Sequence, residues 1–169
     1  ALGDCLIVAT TDETVIFLNY TDLNSQAGDT NSLFELSPFQ LSGFPSKIKA
    51  ISWADSGDTF AVASGTEISV WQPHINPNNG WEAEIFNQHL GKVNALEFKP
   101  QTKILASADV NGKILLSKGG KNIQTLNANA EVTCLKWHPQ GHKLAAGTEQ
   151  GQVSVWDLPK KSSTKGFWV

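Results

Sequence analysis

Three hexapeptides in this chain follow one pattern: Ile48-Lys49-Ala50-Ile51-Ser52-Trp53, Val93-Asn94-Ala95-Leu96-Glu97-Phe98 and Val132-Thr133-Cys134-Leu135-Lys136-Trp137. Each is apolar at its first, fourth and sixth positions and carries a small residue at its third. A second apolar alternation ends 18 or 19 residues beyond each aromatic: Trp53 leads to Trp71, Phe98 to Ser117 and Trp137 to Trp156. The units begin 45 and then 39 residues apart, counted from Ile48 to Val93 to Val132. A chain that repeats at such an interval folds as a row of similar units, each covering the apolar face of the next.

Within the units, alternation of period two, rich in Val, Ile, Phe and Trp, recurs in segments of five to seven residues bounded by Gly, Asp, Asn and Pro. These are strand signals, and no stretch keeps a helical period. The unit from Lys92 reads as four antiparallel strands over 92–98, 103–108, 113–117 and 122–126, with Asn111-Gly112 suited to a hairpin needing positive φ. The last unit reads as strands over 131–137, 142–147, 152–157 and 165–169. The unit from Lys47 turns at Asp55-Ser56-Gly57 and at Gly65-Thr66, with an outer strand near 82–88. Upstream, residues 3–9 and 15–18 align with the second and third strands of the later units, so the first unit is expected to lack its first strand. The polar segment 20–31 reads as a mobile loop of the kind that carries function. The expected blocks are 1–41, 42–89, 90–127 and 128–169. A period of about forty residues built from short strands is the pattern of a β-propeller, and the chain is expected to be all-β.

Forty per cent apolar content with six Trp and eight Phe in 169 residues predicts a folded chain with a sizeable core. A net charge of −3 provides no global basic field, so nucleic acid is not an expected partner. Apolar runs such as 5–9 are too short to cross a bilayer, and no signal-peptide pattern opens the chain. No membrane is expected, and the cytoplasm is the expected compartment. Cys134 takes the slot of Ala50 and Ala95 and is expected to be a small buried side chain, and Cys5 begins an apolar strand. Both are expected to be reduced core thiols.

At Val155-Trp156-Asp157, 19 residues after Trp137, the chain resembles a WD-repeat β-propeller. The resemblance covers nearly all of the sequence as about three and three-quarter repeats. It implies a propeller segment of four-stranded antiparallel blades within a larger ring of about seven. In that family a His before the first strand, a hydroxyl on the second, an Asp in the second hairpin and a Trp on the third strand form a hydrogen-bonded network. The resemblance assigns His89 and Asn111 to those slots in the third unit, where Ser117 replaces the Trp. The last unit keeps Trp156 and Thr148 but has Ala128 and Gln150; the second keeps Trp71 but has Phe44; the first keeps Asp12 but has Leu18. No unit is expected to hold the full network, so packing is expected to carry the blades. Trp53, Trp71, Phe98, Trp137, Trp156 and His89 are the expected structural core, the hexapeptide aromatics lying between neighbouring blades.

Chemistry of other kinds finds little support. His138 and His142 flank a hairpin turn with no further metal-type ligand beside them, so no metal site is expected. Lys118-Gly119-Gly120-Lys121 lacks the glycine spacing and following helix of a phosphate loop. No Gly-x-Ser-x-Gly elbow or outstanding acidic pair is present, so neither catalysis nor a cofactor is expected.

The resemblance implies that the residues flanking the first apolar position of each inner strand face the top rim of the central channel, where partners dock. These are Lys47 and Lys49, Lys92 and Asn94, and Glu131 and Thr133. Thr11, Val110 and Glu149, each preceding the Asp slot of its hairpin, join them. Three lysines on adjacent blades make a basic patch on an acidic chain, to which an acidic peptide or loop is expected to dock. The plainer reading is a solvated polar rim. Fewer than four units leave an apolar face bare, and a missing inner strand leaves an unpaired edge. The chain is therefore expected to belong to a larger ring, or to close one by pairing with itself or another propeller fragment through faces near Phe17 and Trp168. The expected function is a non-catalytic protein–protein interaction scaffold. A structural assembly element is the competing reading, and a small-molecule site in the channel is less favoured.

Overall fold

The computed structural model describes residues 5–19, 39–76 and 80–158. The described residues form fourteen strands in four antiparallel sheets, with no helix among them. The first sheet joins β1 (Cys5–Ala9), β2 (Val15–Asn19) and β3 (Phe39–Leu41). The second joins β4 (Ile48–Trp53), β5 (Phe60–Ser64), β6 (Glu67–Pro73) and β7 (Trp81–Phe86). The third joins β8 (Val93–Phe98), β9 (Ile104–Asp109), β10 (Lys113–Lys118) and β11 (Lys121–Asn127). The fourth joins β12 (Val132–Trp137), β13 (Lys143–Thr148) and β14 (Val153–Asp157). Each is a meander in chain order, the arrangement of a propeller blade. The strand expected at 165–169, the loop at 20–31 and Trp168 lie outside the described residues.

One register recurs in all four sheets. Leu6 pairs with Leu18, Phe60 with Trp71, Leu105 with Ser117 and Leu144 with Trp156. This repetition follows from side-chain alternation, because a slip of one residue would turn each apolar set to the wrong face.

The core lies between the sheets. Val15 and Phe17 meet Phe44, Phe60 and Val62 at the first interface. Ala61, Ala63 and Ile68 meet Leu96, Phe98 and Leu105 at the second. Ala106, Ile114 and Leu116 meet Val132, Trp137 and Leu144 at the third. Strand β5 explains how one blade serves two interfaces: every residue of Phe60-Ala-Val-Ala-Ser64 is buried. Phe60 and Val62 point to the sheet before, and Ala61 and Ala63 admit the large side chains of the sheet after. Trp53 lies in the first interface with its ring 5.2 Å from that of Phe60, Phe98 lies in the second and Trp137 in the third. Trp71 stacks on Phe60 at 6.2 Å, and Trp156 packs on the third interface.

Two expectations need correction. The carboxylate of the third unit's network is Asp109, not Asn111: its Oδ2 is 2.8 Å from His89 Nδ1, and His89 Nε2 is 2.8 Å from Ser107 Oγ. Residue 109 ends a strand and is buried, whereas Asn111 is exposed in the turn. The blade therefore holds three of the four network groups. Cys134 is exposed, a free thiol, although Ala95 in the same slot is buried. Ala95 packs among residues of the fourth sheet, and among the described residues no sheet follows the fourth to cover Cys134.

Candidate functional site

The inner strands β4, β8 and β12 share an irregularity. The ladder slips between Ile48 and Ala50, between Val93 and Ala95, and between Val132 and Cys134. Lys49, Asn94 and Thr133 are thus the extra residues of three equivalent bulges. A bulge leaves its residue unpaired and re-aims its side chain, and such features gather at rims and binding sites. Val93 and Val132, directly before the bulged residues, are fully buried and anchor the strands. Lys47, Lys49, Lys92 and Thr133 are exposed, and Asn94 and Glu131 are half-buried.

Hydrogen bonds knit these positions into one edge. Val93 N donates to Gly65 O at 2.8 Å, and Gly65 lies against Ser46, the residue before Lys47. Val110 N donates to Lys92 O at 3.0 Å, and Glu149 N to Glu131 O at 2.9 Å. Asn94 Nδ2 reaches across the interface to Glu131 Oε1 at 2.8 Å and Val132 O at 3.2 Å. Thr133 Oγ1 donates to Gly147 O at 3.3 Å. Thr11 is exposed in the β1–β2 hairpin, outside this string of bonds. The charges are segregated: lysines stand on the second and third sheets and Glu131 and Glu149 on the fourth, with Asn94 between them.

Beneath the rim, Asp109 fixes the hairpin that carries Val110. Its Oδ1 accepts from Asn111 N at 2.9 Å and Lys113 N at 3.1 Å, while Oδ2 faces His89. Three donors compensate a carboxylate that is only 1% exposed. Burial holds His89 below its ordinary pKa, and the hydrogen bond and charge of Asp109 oppose that shift without reversing it. The neutral ring then donates through Nδ1 to Asp109 and accepts at Nε2 from the Ser107 hydroxyl, which is the tautomer this geometry requires.

Two polar positions repeat in a way the sequence reading did not recognise, and Thr148, expected in the hydroxyl slot, stands instead at the position of Asp109. Thr10, Ser64, Asp109 and Thr148 all stand four residues after the paired residues Leu6, Phe60, Leu105 and Leu144, and each bonds within or across its hairpin entry. Hexapeptide position five joins neighbouring sheets: Ser52 Oγ accepts from Phe98 N at 3.1 Å and Glu97 Oε2 from Trp137 N at 2.6 Å. Both could have been found by comparing polar residues, as well as apolar ones, at the repeat interval. The His138 and His142 rings lie close, with centroids 4.2 Å apart and planes tilted by 55°, but His138 Nδ1 already accepts from Gln140 N.

Comparison with known proteins adds a sequence signal to this geometry. The family profile described as "WD domain, G-beta repeat" matches residues 120–157, from the last strand of the third sheet to the end of β14. The chain belongs to the WD-repeat family. Its relatives include pre-mRNA-processing factor 19 homolog 2 of Arabidopsis thaliana, 27% identical over 75% of this chain and 25% of that protein. Periodic tryptophan protein 2 of the same plant is 31% identical over 67% of this chain and 13% of that protein. Protein transport protein SEC31 of Coccidioides immitis is 27% identical over 77% of this chain and 12% of that protein. The WD-repeat chain thus spans a quarter or less of each of these relatives' lengths.

Proposed function

We propose that this chain is a non-catalytic interaction scaffold whose bulged rim receives an acidic segment of a protein partner at Lys47, Lys49 and Lys92. The observation that carries this reading is the bulge repeated at Lys49, Asn94 and Thr133. A strand bends out of register at the same residue three times, and what it presents there varies in charge while the buried anchors do not. Relatives named for pre-mRNA processing and for protein transport share the repeat, which suits a common platform better than a common reaction. Exposed lysines on a rim act mainly by steering encounter and are screened by salt.

A fluorescent hexaglutamate peptide followed by anisotropy at low ionic strength tests the reading. Binding to the wild type that falls at least ten-fold in Lys47→Glu/Lys92→Glu, and weakens with added salt, supports it. Equal binding by both proteins sinks it.

A second reading rests on the terminal sheets. Val153 and Val155 are 72% and 58% exposed, yet their counterparts Ile114 and Leu116 in the third sheet are 0% and 4% exposed. These valines are built for a blade-to-blade contact of the kind seen three times within the molecule. Another blade of this type, from a longer chain or a second copy, is the occupant they fit. Light scattering on the purified chain tests the second-copy form: a dimer supports it, and a monomer at high concentration removes it.

A further inference from the structure

Ser117 holds the place that Trp71 and Trp156 hold in the neighbouring units, since each pairs with the equivalent residue of the strand before. Trp71 fills part of the first interface and Trp156 part of the third. Among the described residues the second interface is supplied with no indole, and a shallow groove, with about 90 Å³ of enclosed space, opens to solvent there. Val70 and Phe86 wall it on one side and Phe98 and Leu105 on the other, with Thr59 and Glu84 contributing oxygens. Gly120 lets the third sheet approach the second closely at the groove's edge, because a Cβ at that residue would collide with Phe86 and sit 2.9 Å from Glu84 Oε1.

We propose that this groove is a lateral docking pocket for a tryptophan side chain presented by a protein partner. The chemistry of the occupant is read from the other two interfaces, where an indole fills the same position against the same kind of apolar wall. Trp71 satisfies its Nε1–H on Ser69 Oγ at 2.9 Å. The residue corresponding to Ser69 in the third sheet is Leu115, 1% exposed, so an arriving indole must find its acceptor elsewhere. Thr59, Glu84 and the Ser117 hydroxyl supply candidates at the walls. An aromatic anchor sunk between apolar walls is also the commonest form of an interface hot spot. Thr59 precedes β5 and Gly65 follows it, so groove and lysine rim lie at opposite ends of the sheets and bind independently.

The test titrates N-acetyl-tryptophanamide into the isotopically labelled chain and follows backbone amide shifts. Saturating shifts confined to the strands around Val70, Phe86, Leu105 and Ser117, at least ten-fold weaker with N-acetyl-leucinamide, are expected. Ser117→Trp should abolish them and raise the thermal midpoint by filling the slot from within. Ser117→Leu, a smaller plug, should weaken binding and covers the case in which the tryptophan variant does not fold. Lys47→Glu/Lys92→Glu should leave the shifts unchanged, which separates this site from the rim. Three results overturn the proposal: no saturable shifts, shifts that survive both Ser117 plugs, or binding of free indole without binding of the capped amino acid.

Discussion

Asp109 shows how one side chain can decide whether a hairpin holds. Its oxygens meet His89 and two backbone N–H groups, and the carboxylate and the imidazole are shut away from bulk water. Asp109→Ala leaves three donors without the carboxylate they share and is expected to cost about 3–5 kcal/mol, since each donor left unsatisfied costs about 1–3 kcal/mol. Ser64→Ala and Thr148→Ala, at the same position of their own sheets, remove only hydroxyl bonds and should cost about 1 kcal/mol each. Urea unfolding of the three variants gives the ranking; equal losses would mean that Asp109 contributes no more than a hydroxyl. His89 adds a pH dependence. Its folded pKa lies below the ordinary value of 6.5, so on acidification the unfolded chain takes up the proton first. The stability it contributes is fully present above about pH 6.5 and is lost as pH falls toward the depressed folded value. Asp12, Asp58 and Asp157 are held below the usual carboxylate value of 3.8 by their hydrogen-bond partners, chiefly Thr10, Ser56 and Lys143, and matter only in stronger acid. The urea midpoint of the wild type should therefore drop between about pH 7 and pH 5, and that of His89→Phe should stay nearly level over the same range. Phe44 already stands in the corresponding slot of the second unit.

The elements are joined by the fifth residue of each hexapeptide as well as by apolar packing. Glu97 accepts from Trp137 N and pairs with Lys136, so Glu97→Ala frees a backbone donor at a sheet-to-sheet contact. A loss of about 1–3 kcal/mol is expected, against about 1 kcal/mol for Ser52→Ala, whose bond is neutral. Faster hydrogen exchange at Trp137 N in the first variant alone would locate the effect; no change there would assign the loss elsewhere. Phe98→Ala, at 5% exposure in the second interface, should cost more than either, about 3–5 kcal/mol. Much of this architecture was legible in the sequence, because alternation and recurrence are local properties that need no partner to be seen. The bulges were not legible. Lys49 reads as an ordinary strand residue until β4 is laid beside β5 and one residue too many is found. Asp109 was legible by a rule left unused: residues 107 and 109 share a face by alternation, and both face His89, while matching a motif slot pointed to residue 111. Strand β3, three residues long, carries too little pattern to read.

At the scale of the whole molecule, the described sheets form a stack whose inner faces are covered and whose outermost faces are exposed. Burial at equivalent positions makes the point without any appeal to length. Leu105 is 4% exposed with a sheet on its side, whereas Leu6, its counterpart in the first sheet, is 54% exposed. Ala95 is buried and Cys134 is exposed; Ile114 and Leu116 are buried and Val153 and Val155 are not. Apolar faces of this kind on opposite ends are complementary by construction, because every interior interface joins one such face to the other. A pairing of two copies through these faces would run head to tail, as a heterologous contact that closes only if the rotation per blade allows it. Placing charge on one face tests this directly. Val153→Lys/Val155→Lys should leave the fold intact, since both side chains are open to water, and should shift sedimentation of a concentrated sample toward the monomer. Ile114→Lys/Leu116→Lys, the same chemistry one sheet inward, should instead abolish cooperative unfolding, because two buried unpaired charges exceed the stability of a small domain. If the outer pair proves as damaging as the inner pair, the exposed face is already covered within the chain, and association through it is ruled out.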